Sequence, residues 1–315
     1  MGVMIDGKWH TQSLAELVKG GDFKRKESSF RDWIKPDGAF PPEAGRYRLY
    51  VSLACPWAHR TLIMRALKGL EKMIPVSVVN WFMGDDGWSF EEGEGVVEDP
   101  VFAAQYLRDV YAGAKPDYTG RVTVPVLLDT KGRQIVSNES SEIIRMLNSA
   151  FDALGATAGD HYPEALRGEI DAVNERVYDT FNNGVYKSGF AATQAAYERA
   201  VYPLFETLDW MEDRLSRQRW LAGDRFTEAD IRAFPTLIRF DPVYHGHFKC
   251  NRARIVDYPN LWAYTRQIYQ MPGVAETVNL THIRSHYYAS HDSINPTRII
   301  AIGPELDYWQ PHGRG

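Results

Sequence analysis

Two cysteines, Cys55 and Cys250, in a chain of 315 residues are too few for a disulfide framework, so stability has to come from a packed core and a reducing compartment is expected. No run approaches the roughly 18 consecutive apolar residues that mark a membrane span. The opening MGVMIDGKWHTQ is polar and has no apolar stretch of the secretory kind,. Both absences lead us to expect a cytoplasmic protein that does not engage a membrane. An excess of basic charge is missing too: 36 Lys and Arg stand against 41 Asp and Glu, a formal net charge of -5, which argues against a nucleic-acid partner. What is abundant is apolar and aromatic side chain, 44% and 13% of residues, with 17 Tyr and 9 Trp. That is ample for a large core, and the length suggests two domains.

Periodicity divides the chain. Residues 1–44 mix charge with isolated aromatics (Trp9, Phe23, Phe30, Trp33, Phe40) and read as an irregular arm anchored by those rings. Tyr47 to Val51 alternate like a half-buried strand, Cys55-Pro56 follows, and Trp57 to Lys68 suit a helix with proline in its first turn,. Val76 to Val79 read as a second strand, giving a β-α-β unit,. Residues 81–121 form an insertion rich in glycine and acid, with a short helix expected over Val101 to Tyr111,. Val124 to Asp129 and Gln134 to Val136 read as paired strands, and a helix is expected from Ser140 to about Asn148. This order is thioredoxin-like. After a turn-rich linker, 151–162, apolar residues recur at spacings of three and four through an all-helical domain, 163–285,. Residues 286–315 read as a Tyr- and His-rich tail.

The chemistry concentrates at strand, Cys-Pro, helix. A cysteine at the exposed start of a helix meets unpaired backbone N–H groups and the positive end of the helix dipole, which favour a thiolate. In Cys55-Pro56-Trp57-Ala58, alanine stands where a dithiol oxidoreductase has its second cysteine. Cys55 therefore needs an external thiol both to form a mixed disulfide and to be released from it. The competing reading, a small buried hydrophobe, is the ordinary fate of a lone cysteine. Thr123-Val124-Pro125-Val126 suggests a cis Val-Pro bond beside the cysteine, with a trans proline at a strand edge as the alternative,. At Asn138-Glu139-Ser140-Ser141, Ser140 or Ser141 is expected to cap the next helix, whose start suits an α-carboxylate, while Glu139 suits an α-ammonium,. Together these are the γ-glutamyl end of glutathione.

The motifs Cys55-Pro56-Trp57-Ala58-His59-Arg60, Asp86-Gly87-Trp88, Arg121-Val122-Thr123-Val124-Pro125-Val126, Asn138-Glu139-Ser140 and Asn183-Gly184-Val185-Tyr186-Lys187 resemble those of the glutathionyl-hydroquinone reductases, the Xi class of glutathione transferases. The resemblance extends over nearly the whole chain. It implies the glutathione-transferase fold, a thioredoxin-like α/β domain (45–150) followed by an all-α domain. It implies Cys55 as nucleophile and glutathione as co-substrate, held by Trp88, Arg121, Val124, Glu139 and Ser140. Tyr186, Tyr287 and Tyr288 would line the aromatic-substrate pocket, Tyr186 and Tyr287 with catalytic roles, and the chain would form a homodimer.

Two other functions compete: an omega-like thioltransferase or dehydroascorbate reductase sharing Cys55, and a non-catalytic binding module on the same fold. Several features are set aside. His282 and His286 stand four apart, as metal ligands on a helix do, but nothing completes a ligand set at a familiar spacing, and no metal is expected,. His245-Gly246-His247 is weaker still, and the acidic run Glu91 to Glu94 reads as solvated loop charge,. Thr227-Glu228-Ala229-Asp230 is a helix-start signature assigned to folding,. Cys250 is read as non-catalytic.

Overall fold

The computed structural model describes residues 2–11 and 27–314. The described residues fall into two units, one of 2–11, 27–159 and 277–290, the other of 160–276 and 291–314. Phe23, one of the rings expected to anchor the arm, lies outside them.

In the first unit, β3 (Tyr47–Val51) forms where alternation predicts it, with four of its five residues buried. It runs parallel to β4 (Val76–Val78) and antiparallel to β7 (Val126–Asp129), which pairs antiparallel with β8 (Gln134–Ser137). The resulting order is β4-β3-β7-β8. The parallel pair is joined through α1 (Pro56–Leu67), with Pro56 in its first turn, where the lost N–H has no intrahelical partner to miss,. α3 (Ser140–Ser149) follows β8 and packs on α1.

The arm is not irregular at its start. β1 (Gly2–Ile5) and β2 (Lys8–Thr11) make a hairpin closed by Asp6-Gly7. Both turn residues have positive φ, 47 and 74 degrees, as a two-residue hairpin loop of this kind demands,. Further on, Arg31 bridges to Ser137 and Asp32 N donates to Val136 O at 2.9 Å. The arm thereby occupies the outer edge of β8, which would otherwise present unpaired backbone groups.

The insertion holds a small ribbon, β5 (Met83–Gly84) and β6 (Gly87–Trp88), and a helix, α2 (Leu107–Ala114). The helix starts six residues later than the sequence suggests. The Asp99 carboxylate accepts from the backbone N–H groups of Val101, Phe102 and Ala104, which holds 101–104 out of a helix. Asp109 instead receives Tyr106 N at 2.9 Å and closes a capping box at the real start,.

A second correction concerns the expected boundary at residue 286. Residues 280–290 form one continuous helix, α9 (Leu280–Ser290), which belongs to the first unit and not to a tail.

The second unit is helical: α4 (Arg167–Arg176), a wide turn over 177–182, α5 (Gly184–Gly189), α6 (Gln194–Leu215), α7 (Glu228–Arg239) and α8 (Pro259–Tyr269). Of the apolar positions counted from sequence, Ile170, Val173, Val177, Phe181 and Val185 are buried, while Leu166 and Tyr197 are half-buried. Thr227 caps α7 reciprocally with Asp230, as the sequence signature predicts.

Asp241 is buried behind α7, where burial pushes its carboxyl up to about 6, against the pull of Ile255 N and Val256 N and the charge of Arg254. Because the folded-state pKa exceeds the ordinary value of 3.8, protonation favours folding,. The contribution is complete below that value and is lost as pH rises through about 6. Asp241→Asn is expected to remove up to about 3 kcal/mol of this pH dependence. Denaturant unfolding of both proteins at about pH 4 and about pH 7 checks it. An equal pH response in the two would refute it.

Candidate active site

Cys55 is the residue that caps the start of α1. Its backbone is extended, at φ -79 and ψ 122, and its carbonyl accepts His59 N at 3.0 Å. The side chain is half-buried, and Sγ lies 3.7 Å from the carbonyl oxygen of Val124. The Val124-Pro125 bond is cis. Topology explains the approach: β3 delivers Cys55 at its carboxyl end, and antiparallel β7, paired with β3, begins immediately after Pro125. Buried Ala58 occupies the position of a second cysteine. Arg60 is buried on the same helix, with its guanidinium 4.4 Å from the Trp57 ring centre.

Glu139 corrects the capping prediction. It is itself the N-cap of α3, and its Oε1 accepts both Ser141 N at 3.0 Å and Ser141 Oγ at 2.8 Å. Asn138 leaves β8 with its side chain already engaged, so the chain enters the helix one residue earlier than a serine cap requires. Glu139 Oε2 accepts Ser28 Oγ from the arm at 2.9 Å. Burial alone would raise the Glu139 carboxyl, but Ser141, Ser28 and the charge of Arg60 together hold it below the usual carboxylate range. An ionised acceptor therefore sits at a helix start, with buried Ser140 beside it.

Trp88, at the end of β6, is buried against His286 of α9, with ring centres 4.8 Å apart and nearly parallel. This resolves the His282/His286 pair. The spacing of four does place both on one helical face, together with Ser290, but what they hold is backbone. His282 Nε2 meets Glu94 O at 2.6 Å, His286 Nδ1 meets Trp81 O at 2.9 Å, and Ser290 Oγ accepts Met83 N at 3.0 Å. Gly95, at φ 73 degrees, allows the His282 contact, since a Cβ there would sit 3.1 Å from Nε2.

Arg121 is half-buried, and its carbonyl accepts Tyr118 OH at 2.9 Å. Tyr287 is buried on α9 and Tyr288 half-buried beside it. Tyr186 belongs to the second unit, on α5, amid the rings of Phe190, Tyr244 and Phe248. Cys250 is fully buried and its thiol is pushed up to about 12 by that burial. A cavity of about 840 Å³ opens within the insertion between Phe82, Asp85, Glu98 and Tyr106. It does not reach Cys55, and its acidic walls do not suit an anionic tripeptide,.

A cysteine at a helix start, a cis-proline loop against it and a charged acceptor at the next helix start coincide with what comparison finds. Residues 54–150 match the glutathione S-transferase N-terminal domain family and residues 194–267 the C-terminal domain family. The chain is 58% identical over 304 residues to the glutathionyl-hydroquinone reductase PcpF of Sphingobium chlorophenolicum, covering 96% of each. It superposes on the glutathione-bound structure of YqjG, a glutathione transferase homologue from Escherichia coli K-12, with a TM-score of 0.92, 55% identity and 99% of both chains covered. It is similar also to a Xi-class transferase from Natrialba magadii, at a TM-score of 0.94 and 50% identity over 100% of this chain and 96% of that one. The chain belongs to the glutathionyl-hydroquinone reductases, the Xi class of glutathione transferases. In this Xi-class chain Tyr111 and Ser28 stand outside every sequence motif although they engage Thr123 and Glu139, and His286, which the sequence offered only as half of a weak metal pair, stacks on Trp88. Their partners lie far away in sequence, so no local pattern announces them.

Proposed function

We propose that this chain removes glutathione reductively from glutathionyl-hydroquinones, at Cys55. The observation that carries the reading is the pairing of Cys55 Sγ with the Val124 carbonyl, with no second cysteine on α1 to resolve a disulfide. Glutathione is assigned to Val124 through its cysteinyl backbone, to Glu139 and Ser140 through its γ-glutamyl end, and to Arg121 through a carboxylate, which a guanidinium binds in fork geometry. Trp88 closes over it. Tyr186 and Tyr287 are assigned to the hydroquinone oxygens, with Tyr288 as a further lining residue.

The cycle has two exchanges. The Cys55 thiolate attacks the glutathione sulfur and the sulfur–aryl bond breaks. Its electron pair goes to the ring carbon, which takes a proton supplied by a tyrosine hydroxyl. Hydroquinone leaves, and Cys55 remains as a mixed disulfide with glutathione. A second glutathione thiolate attacks that disulfide at the glutathione sulfur, giving oxidised glutathione and the free thiolate. The ring carbon is reduced by two electrons, and the sulfur that leaves it and the thiol of the second glutathione are oxidised together to the disulfide, so no other reductant is required. Ping-pong kinetics are expected.

The test supplies glutathionyl-hydroquinone and glutathione and follows hydroquinone and oxidised glutathione, which should appear in equal amounts. An enzyme inert to that substrate but active on dehydroascorbate would replace this reading with the omega-like one. The reading carries a cytoplasmic homodimer as well; light scattering should then give about twice the 35.9 kDa chain mass,.

A further inference from the structure

Tyr111 lies on α2 of the insertion, outside every motif above, and is fully buried. Its hydroxyl donates to Thr123 O at 2.8 Å and accepts Asn138 Nδ2 at 3.1 Å and Thr123 N at 3.3 Å. Thr123 immediately precedes Val124, and Asn138 immediately precedes Glu139. One hydroxyl thus joins the two backbone segments assigned to the cysteinyl and the γ-glutamyl parts of glutathione. Asn138 is fixed in turn from the arm, because its Oδ1 accepts Phe30 N at 3.1 Å and its N–H donates to Phe30 O at 3.2 Å. The Phe30 ring packs on Tyr111 and Tyr118, with centres 5.9 and 5.4 Å away. Burial pushes the Tyr111 phenol up to about 12. It therefore remains a neutral donor, and the joint keeps one polarity throughout the working range of a thiol enzyme.

We propose that Tyr111 is a positioning residue for glutathione: it clamps the Thr123-Val124 and Asn138-Glu139 segments at the spacing the tripeptide spans, which gives the insertion a role in binding. Without the hydroxyl, Thr123 O and Asn138 Nδ2 lose a buried partner. Such groups reorganise to recover one, so the segments shift. The inference rests on the glutathione-site reading above, and the experiment separates the two.

The measurement is the Kd of S-methylglutathione, which cannot exchange with Cys55, for wild type, Tyr111→Phe, Glu139→Ala and Tyr264→Phe. The last removes a buried hydroxyl that donates to Asp230 in the second unit, and controls for lost stability. Tyr111→Phe is expected to weaken binding about tenfold. The KM for glutathione should rise with it, while Tyr264→Phe melts earlier and binds normally. If Glu139→Ala weakens binding and Tyr111→Phe does not, the positioning role is overturned and the site stands. Unchanged binding by Glu139→Ala overturns the site and the inference with it. Equal weakening by Tyr264→Phe overturns the inference as a mere stability effect. Should Tyr111→Phe fail to fold, Phe30→Ala, at a half-buried position, loosens the same joint from the arm. Weaker binding there supports the role, and unchanged binding overturns it.

Discussion

Cys55→Ser is expected to lower turnover of a glutathionyl-hydroquinone by roughly a thousandfold or more, because no step of the proposed cycle survives the change. A serine hydroxyl at the start of α1 keeps the fold, since Cys55 makes no side-chain capping bond there. It cannot form a disulfide, so neither exchange occurs. Mass spectrometry of wild type stopped before the second glutathione arrives should find one glutathione on Cys55 and none in the variant. Cys250 should stay unmodified in both, being fully buried with its thiol pushed up to about 12. Thiolates react and thiols do not. A serine variant that turns over at the wild-type rate would sink the mechanism.

Asp230→Ala should cost the second unit about 3 to 5 kcal/mol. The Asp230 carboxylate is fully buried. It accepts Tyr264 OH at 2.6 Å, Thr227 N at 2.8 Å, Leu221 N at 2.9 Å and Thr227 Oγ1 at 3.2 Å. Burial raises its pKa despite these donors, so the charged form is held at a cost. Alanine removes the acceptor and strands the donors in the core. Asp230→Asn keeps one carbonyl oxygen and relieves the charge, so it should lose less. Urea unfolding of the three proteins decides the matter. An alanine variant within about 1 kcal/mol of wild type would mean that water reaches these donors.

What the sequence disclosed were features whose physics is local. β3 alternates, Pro56 suits a first turn, and Thr227 with Asp230 completes a cap within three residues. The Asp6-Gly7 turn is equally local, but the strand after it, Lys8–Thr11, is short and mostly exposed and has no apolar alternation to mark a hairpin. Helix α9 was hidden for another reason. Its inward face carries His282, His286 and Ser290, whose partners are backbone groups of the insertion, so the expected apolar stripe is replaced by polar side chains. The start of α2 was misplaced because the Asp99 carboxylate withdraws the N–H groups of an apolar stretch from helix formation. At the candidate site the residues assigned direct contact with glutathione were named from motif. Tyr111, which bonds to Thr123, stands in no motif, and His286 entered only as half of a metal pair, because their contacts span 12 to 205 positions.

The return of α9 to the first unit bears on how the molecule is made. A ribosome releases the sheet, Cys55 and the whole insertion long before residue 280 exists. Until then the carbonyls of Trp81 and Glu94 and the amide of Met83 lack the side chains that later hold them, and Trp88 lacks the ring it stacks on. The intervening chain, 160–276, belongs to the other unit. The nascent protein thus carries Cys55 early and receives the ring that stacks on Trp88 almost last, so a chain cut short after residue 276 would keep Cys55 on α1 and lose the anchor of Trp88.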